Sequence, residues 1–192
     1  MGTENSELRK RALEAIKGNW TTAIVGFVIY ELLSGAGGGT GIILIIGGPL
    51  TLGMTFFSLA FVRKEQIEYD LLFKGFNNFG NSLLAYLFVT FFTMLWTLLL
   101  IIPGIIKGIS YSMTFFIMAD NPEIKPMDAI DKSMEMMHGY KMKFFMLNLL
   151  FFILVLLSGI LLFIPLFWLI PYMYITYAEF YEDIKNKPIL IS

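Results

Sequence analysis

Two charged side chains, Glu31 and Lys107, stand inside long apolar stretches of this sequence. A charge surrounded by apolar residues is costly, so it pairs, reaches an interface or binds something. Glu31 sits late in one apolar segment and Lys107 early in another, both toward the same outer face, where an ion pair would neutralise them. An interfacial carboxylate and a lysine snorkelling to the outer headgroups are the simpler alternatives. Tyr111, Asn148 and Glu179 complete the candidate ligand-binding set. Asn148 would hydrogen-bond between helices or contact a substrate. Glu179 lies among Tyr172, Tyr174, Tyr177 and Tyr181, a grouping expected of an aromatic belt at a membrane edge.

The chemistry open to these residues is narrow. With no cysteine there is no disulfide, thiolate metal site or cysteine nucleophile. The single histidine, His138, stands beside Gly139 and reads as a cation at a helix C-terminus rather than a catalytic base. Carboxylates alone would have to build an active site, so no catalytic residue, metal site or cofactor is expected and the chain reads as non-enzymatic. The glycine-rich residues 35–41 follow no strand and precede no Lys-Ser/Thr, so they read as a flexible tip, not a phosphate loop. A net charge of −1 gives no basic bias toward nucleic acid.

The elements that carry these residues are membrane helices. Of 192 residues 57% are hydrophobic and 15% charged, and the mean hydropathy is +0.71. About 20 apolar residues cross a hydrocarbon layer roughly 30 Å thick. Six apolar segments emerge, at 20–33, 41–62, 82–102, 104–119, 143–164 and 166–181, of which the first and fourth are short. The linkers within successive pairs are brief, so the expected fold is all-α: a single membrane domain over 1–192 whose six transmembrane helices form three hairpins. Thirteen of the fourteen basic residues fall outside the hairpins, Lys107 being the exception. By the positive-inside rule the termini and long loops are then cytoplasmic and the hairpin tips outside, in a multi-pass protein of the plasma membrane. The polar start, residues 1–17, leads to the expectation that no signal peptide is removed.

A stretch of helical amphipathic spacing precedes each hairpin. Leu8, Ala12, Ala15 and Ile16 share one face, and Met127, Ile130, Met134 and Met137 another, while the residues 67–79 are less regular. Such helices would lie in the cytoplasmic headgroup plane, or pack on the helix ends as soluble-facing connectors. Gly18, Gly80 and Gly139 open the three hairpins at spacings of 62 and 59 residues, which suggests a threefold repeat over 6–66, 67–125 and 126–185. Pro49, deep in its segment, reads as a helix break of the kind that lines transporter sites. Pro103, Gly104, Pro122 and Pro165 read as turns.

Several of these pieces resemble a known family. Ile102 to Lys107, Tyr111-Ser112-Met113, Ala119 to Glu123, Lys17 to Trp20, Ala129-Ile130, Ser133, Met136 to Gly139, Pro171-Tyr172 and Phe180-Tyr181 together resemble the bacterial integral membrane family called domain of unknown function 975, from about Arg11 to Asp183. The resemblance implies a bacterial membrane protein without assigning it an activity. Distant similarity to membrane domains fused to glycerophosphodiester phosphodiesterases implies lipid-adjacent work by analogy alone. The leading functional expectation is non-enzymatic binding or transport of a lipid or amphipathic small molecule. A scaffold or regulatory subunit is the alternative, and an interfacial enzyme comes last. Expected partners are membrane lipids, another membrane protein or a second copy of the chain.

Overall fold

The structure is a computed structural model that describes residues 3–38, 41–160 and 162–187. It is 82% helix, with no strand among the described residues. The helices are α1 (Asn5–Ile16), α2 (Trp20–Gly38), α3 (Ile43–Arg63), α4 (Phe79–Leu99), α5 (Ile101–Tyr111), α6 (Thr114–Asp120), α7 (Pro126–Met136), α8 (Lys141–Ile160) and α9 (Leu166–Ile184). Four stretches are long and apolar enough to cross a membrane: Ile43–Arg63, Tyr69–Leu99, Ile101–Asp120 and Lys141–Ile160. Helix α2 supplies a shorter apolar helix, and α9 carries Glu179, Glu182 and Asp183 near its end.

The central element is α3, which packs against α1, α2, α4, α6 and α9. Small residues permit this. A Cβ on Gly53 would collide with the Leu72 carbonyl, and one on Gly48 with the Ser82 carbonyl, so neighbouring backbones lie directly on α3. Pro49 lies inside α3, and the helix continues through it rather than breaking there. The proline sits in the second turn, and the Pro49 carbonyl is close enough to Gly75 that no side chain would fit between them.

Helix α1 owes its place to a stripe at four-residue spacing. Leu8, Ala12 and Ile16 are fully buried, and the helix packs on α9 and α3 rather than turning that face to lipid. Helix α7 starts with Pro126 at its first position, where the missing N–H costs nothing. Its Ala129, Ile130 and Ser133 are buried against α4, α5 and α6, while Met127 is exposed. Gly18 and Gly139, at φ +88° and +79°, let the chain leave α1 and α7 in the left-handed region. No such turn occurs at Gly80, which lies inside α4. Between α3 and α4 the expected amphipathic helix is replaced by two 3-10 turns, Tyr69–Leu72 and Lys74–Asn78, moulded onto α3.

The structure departs from the expected helix boundaries in three places. The chain reverses at the extended Leu100 instead of Pro103-Gly104, because Pro103 fits the first turn of α5 and Gly104 packs tightly on Thr97 of α4. The glycine-rich residues stay helical to Gly38, while Gly39 and Thr40 lie outside the described residues. The apolar segment 104–119 is interrupted at Ser112 and Met113, giving α5 and α6. Pro122 and Pro165 do lie in turns, after α6 and immediately before α9.

Polar contacts gather the helix ends. The Arg63 guanidinium, at the end of α3, donates to Asp120 at the end of α6 and to Glu182 of α9, the latter at 2.7 Å. Lys185 joins Glu182 at 2.7 Å, and the Tyr181 hydroxyl donates to Asp120 at 2.8 Å. Lys143, in the first turn of α8, pairs with Asp183 at 3.1 Å, where the Thr3 backbone N–H also donates. Asn78, before α4, donates to the Pro122 carbonyl at 2.6 Å. The ends of α3, α6 and α9 and the starts of α4 and α8 therefore share one end of the molecule.

Candidate functional site

The interruption between α5 and α6 has a local cause. Ser110, Ser112 and Thr114 each turn a hydroxyl back onto α5, donating to the carbonyls of Ile106, Ile109 and Tyr111 at 2.7 to 2.8 Å. Side chains that compete in this way for backbone carbonyls bend apolar helices. Groups freed at a break must be satisfied from elsewhere. Ser133 of α7, fully buried, accepts from the Met113 N–H at 3.1 Å and donates to the Ser110 carbonyl at 2.8 Å.

Beside this break lies a cavity of about 310 Å³ bounded by α3, α5, α6, α8 and α9. Thr51, Thr55, Ser112, Asn148, Tyr174 and Tyr177 supply its polar lining, and Phe115, Phe116 and Phe144 supply apolar walls. The Tyr177 hydroxyl donates to Asn148 Oδ1 at 2.8 Å, and Asn148 Nδ2 donates to the Phe144 carbonyl at 2.8 Å. The Thr55 hydroxyl donates to the Thr51 carbonyl at 2.8 Å. Thr55 and Ser112 spend their protons on backbone carbonyls, so toward a ligand their oxygens are left as acceptors. Thr51 also touches the Tyr30 hydroxyl, which meets Tyr174. The lining has no carboxylate and no basic group. Such a wall can hold an uncharged or donor-rich polar head against aromatic surface; it provides no nucleophile with an adjacent base. Among the described residues no three His, Cys, Asp or Glu side chains are grouped to hold a metal.

The five residues singled out from sequence do not converge. Asn148 alone lines this cavity, and its bond to Tyr177 is the interhelical contact expected of it. Tyr111 is buried on the other side of α5, its ring 6.5 Å from that of Phe92. Glu179 is half-buried and faces the charges of Arg11 and Glu14 on α1. Glu31 lies in a separate apolar groove between α2 and α9. No ion pair joins it to Lys107 among the described residues. The Lys107 ammonium instead lies 5.2 Å over the Trp96 ring and 3.8 Å from Met134 Sδ, so it reaches toward α7 and not toward Glu31. Residues 132–136 of α7 border Ile184, Lys185 and Lys187 at the end of α9.

Residues 97–188 match the family model described as Protein of unknown function (DUF975). The match to DUF975 spans just under half the chain, so the likeness extends over the second half, and Lys17 to Trp20 fall outside it. It includes α5, α6, the whole of α7 with Ser133, and the Asn148–Tyr177 bond. No curated protein and no solved structure matches the chain.

The residues that build the cavity were largely invisible to sequence reading. Thr51 and Thr55 are ordinary members of an apolar helix, Ser112 and Ser133 stand out in the sequence only as pieces of the family resemblance, and Tyr174 only as one of the belt tyrosines. The available signal was the alternation of hydroxyls at Ser110, Ser112 and Thr114 within one apolar segment.

Proposed function

We propose that this chain is a six-crossing protein of the bacterial plasma membrane, built as three helical hairpins with both termini cytoplasmic, that binds or moves a lipid or amphipathic small molecule without catalysing a reaction. The observation that carries the functional reading is the cavity at the α5–α6 break, where acceptor oxygens stand against aromatic walls inside an otherwise apolar bundle. An interrupted helix beside a polar cavity is how membrane proteins expose backbone and hydroxyl groups to a ligand within the bilayer.

The gathering of helix ends supports the topology. Arg63, Lys143, Lys185 and Lys187 lie at that shared end, as a cytoplasmic surface requires. The α2 and α9 crossings are the least apolar part of the proposal, α9 because its carboxylates crowd its last turns. The chain has no cysteine, so single cysteines at Lys64 and Lys187 should label from the cytoplasmic side and one at Leu100 from outside. Labelling of Leu100 from the cytoplasm would overturn the arrangement.

Native mass spectrometry of gently extracted protein tests the function. A bound lipid or amphiphile is expected on the wild type and lost from Ser112→Phe, which fills the cavity, and from Asn148→Leu, which removes its amide. A folded wild type that carries nothing, or variants that retain the same adduct, would sink the reading. A scaffold that held its partner on the Met127 to Met137 face would need that face free, and Ile130 and Met137 of it are buried within the chain.

A further inference from the structure

We propose that the groove between α2 and α9 is a second binding site, for a cationic amphiphile, an alkyl chain ending in an ammonium group, with Glu31 as its counter-charge. The groove measures about 450 Å³, within the range of roughly 300–1,000 Å³ typical of ligand pockets. Phe27, Val28, Leu32, Phe163, Phe167 and Ile170 line it around Glu31, which is its sole ionisable lining residue.

Charge complementarity names the occupant. Glu31 forms no ion pair with a described residue, and none of the residues outside the described set carries a basic side chain. Lys107, the cation nearest in kind, is engaged by Trp96 and Met134. Phe163 belongs to the turn between α8 and α9, at the far end of the molecule from the Arg63 and Lys143 clusters, so those positive charges do not serve Glu31. Glu31 is exposed on the groove, and a carboxylate beside an apolar wall is stabilised by a partner that brings the missing positive charge. The exposed rings of Phe163 and Phe167 add aromatic surface that attracts an ammonium. An anionic head would be repelled, and a neutral head would leave the carboxylate uncompensated. The groove shares no lining residue with the cavity at the α5–α6 break, so either site can fail without the other.

The test uses the full chain in phosphatidylcholine nanodiscs, titrated with dodecylammonium, dodecanol and dodecyl sulfate, and read by native mass spectrometry and thermal denaturation. At the groove dodecylammonium should bind roughly tenfold tighter than dodecanol. Glu31→Gln should abolish that preference while Glu31→Asp keeps most of it, and Ile170→Trp should block the groove to both probes. Asn148→Leu, which alters the other cavity, should leave the preference intact. Equal binding of dodecanol and dodecylammonium to the wild type, or an undiminished preference in Glu31→Gln, overturns the proposal.

Discussion

The Ser133 hydroxyl receives the Met113 N–H at 3.1 Å, so a side chain of α7 completes the backbone of a neighbouring interrupted helix. The same oxygen donates to the Ser110 carbonyl, and all of this is buried. A buried backbone group deprived of its partner costs about 1–3 kcal/mol. Ser133→Ala should therefore lower stability by about 2 kcal/mol, measured as a fall in the melting temperature of detergent-extracted protein. An unchanged melting temperature would mean that the break is satisfied some other way.

Tyr177 and Asn148 give a smaller effect. Hydrogen bonds between membrane helices average only about 0.6 kcal/mol, because partners are also available before the helices associate. Tyr177→Phe should cost about that much and leave the aromatic packing on Phe144 in place. Its decisive readout is ligand retention, which should fall more than stability does.

Asp183 lies beyond the apolar segment 166–181, and its carboxyl is held well below the ordinary carboxylate range. Burial alone would raise it, but hydrogen bonds from Lys187, Thr3 and Lys143 and the Lys143 charge outweigh burial. As pH falls, the unfolded chain is then protonated first. The stability this group supplies is complete above its unfolded value of about 4 and drains away as pH drops through the lower folded value. Asp183→Asn should be less stable than wild type at pH 7, and the gap should narrow between pH 5 and 3. A gap that stays constant over that range would contradict the linkage.

Gly53 and Gly35 should respond oppositely to alanine. At Gly53 the new methyl meets the Leu72 backbone, which cannot move aside as a side chain would, and a loss of about 3 kcal/mol or failure to fold is expected. At Gly35, in α2, a Cβ meets nothing within 4 Å, so the better helix propensity of alanine should stabilise by up to about 1 kcal/mol. Parallel melting curves of the two variants decide this.

The long helices were legible because hydropathy is a property of the local chain: α3 and α8 fall within a few residues of the apolar segments 41–62 and 143–164. What escaped depends on distant partners. Ser110, Ser112 and Thr114 look like hydroxyls of any apolar helix until Ser133, 20 residues beyond Met113, accepts the freed Met113 N–H. The 3-10 turns within residues 67–79 settle their backbone on α3 at Gly53, which meets Leu72, and at Pro49, which meets Gly75, a surface no window over the connector contains. Lys107 was read by depth along its own segment, whereas its side chain follows Trp96 and Met134.

Arg63 finds Asp120 57 residues later in the chain and Glu182 119 residues later. During synthesis the clasp at the helix ends is therefore out of reach until the final helix has emerged. On the proposed topology, the segments before α6 take their direction before the arginine has either carboxylate, and Glu182 arrives only with the last helix. On that topology the Glu182 arm of the clasp records an orientation already taken, and a truncated chain that stops before α9 would keep the Arg63–Asp120 pair while lacking Glu182, Lys185 and the Tyr181 hydroxyl.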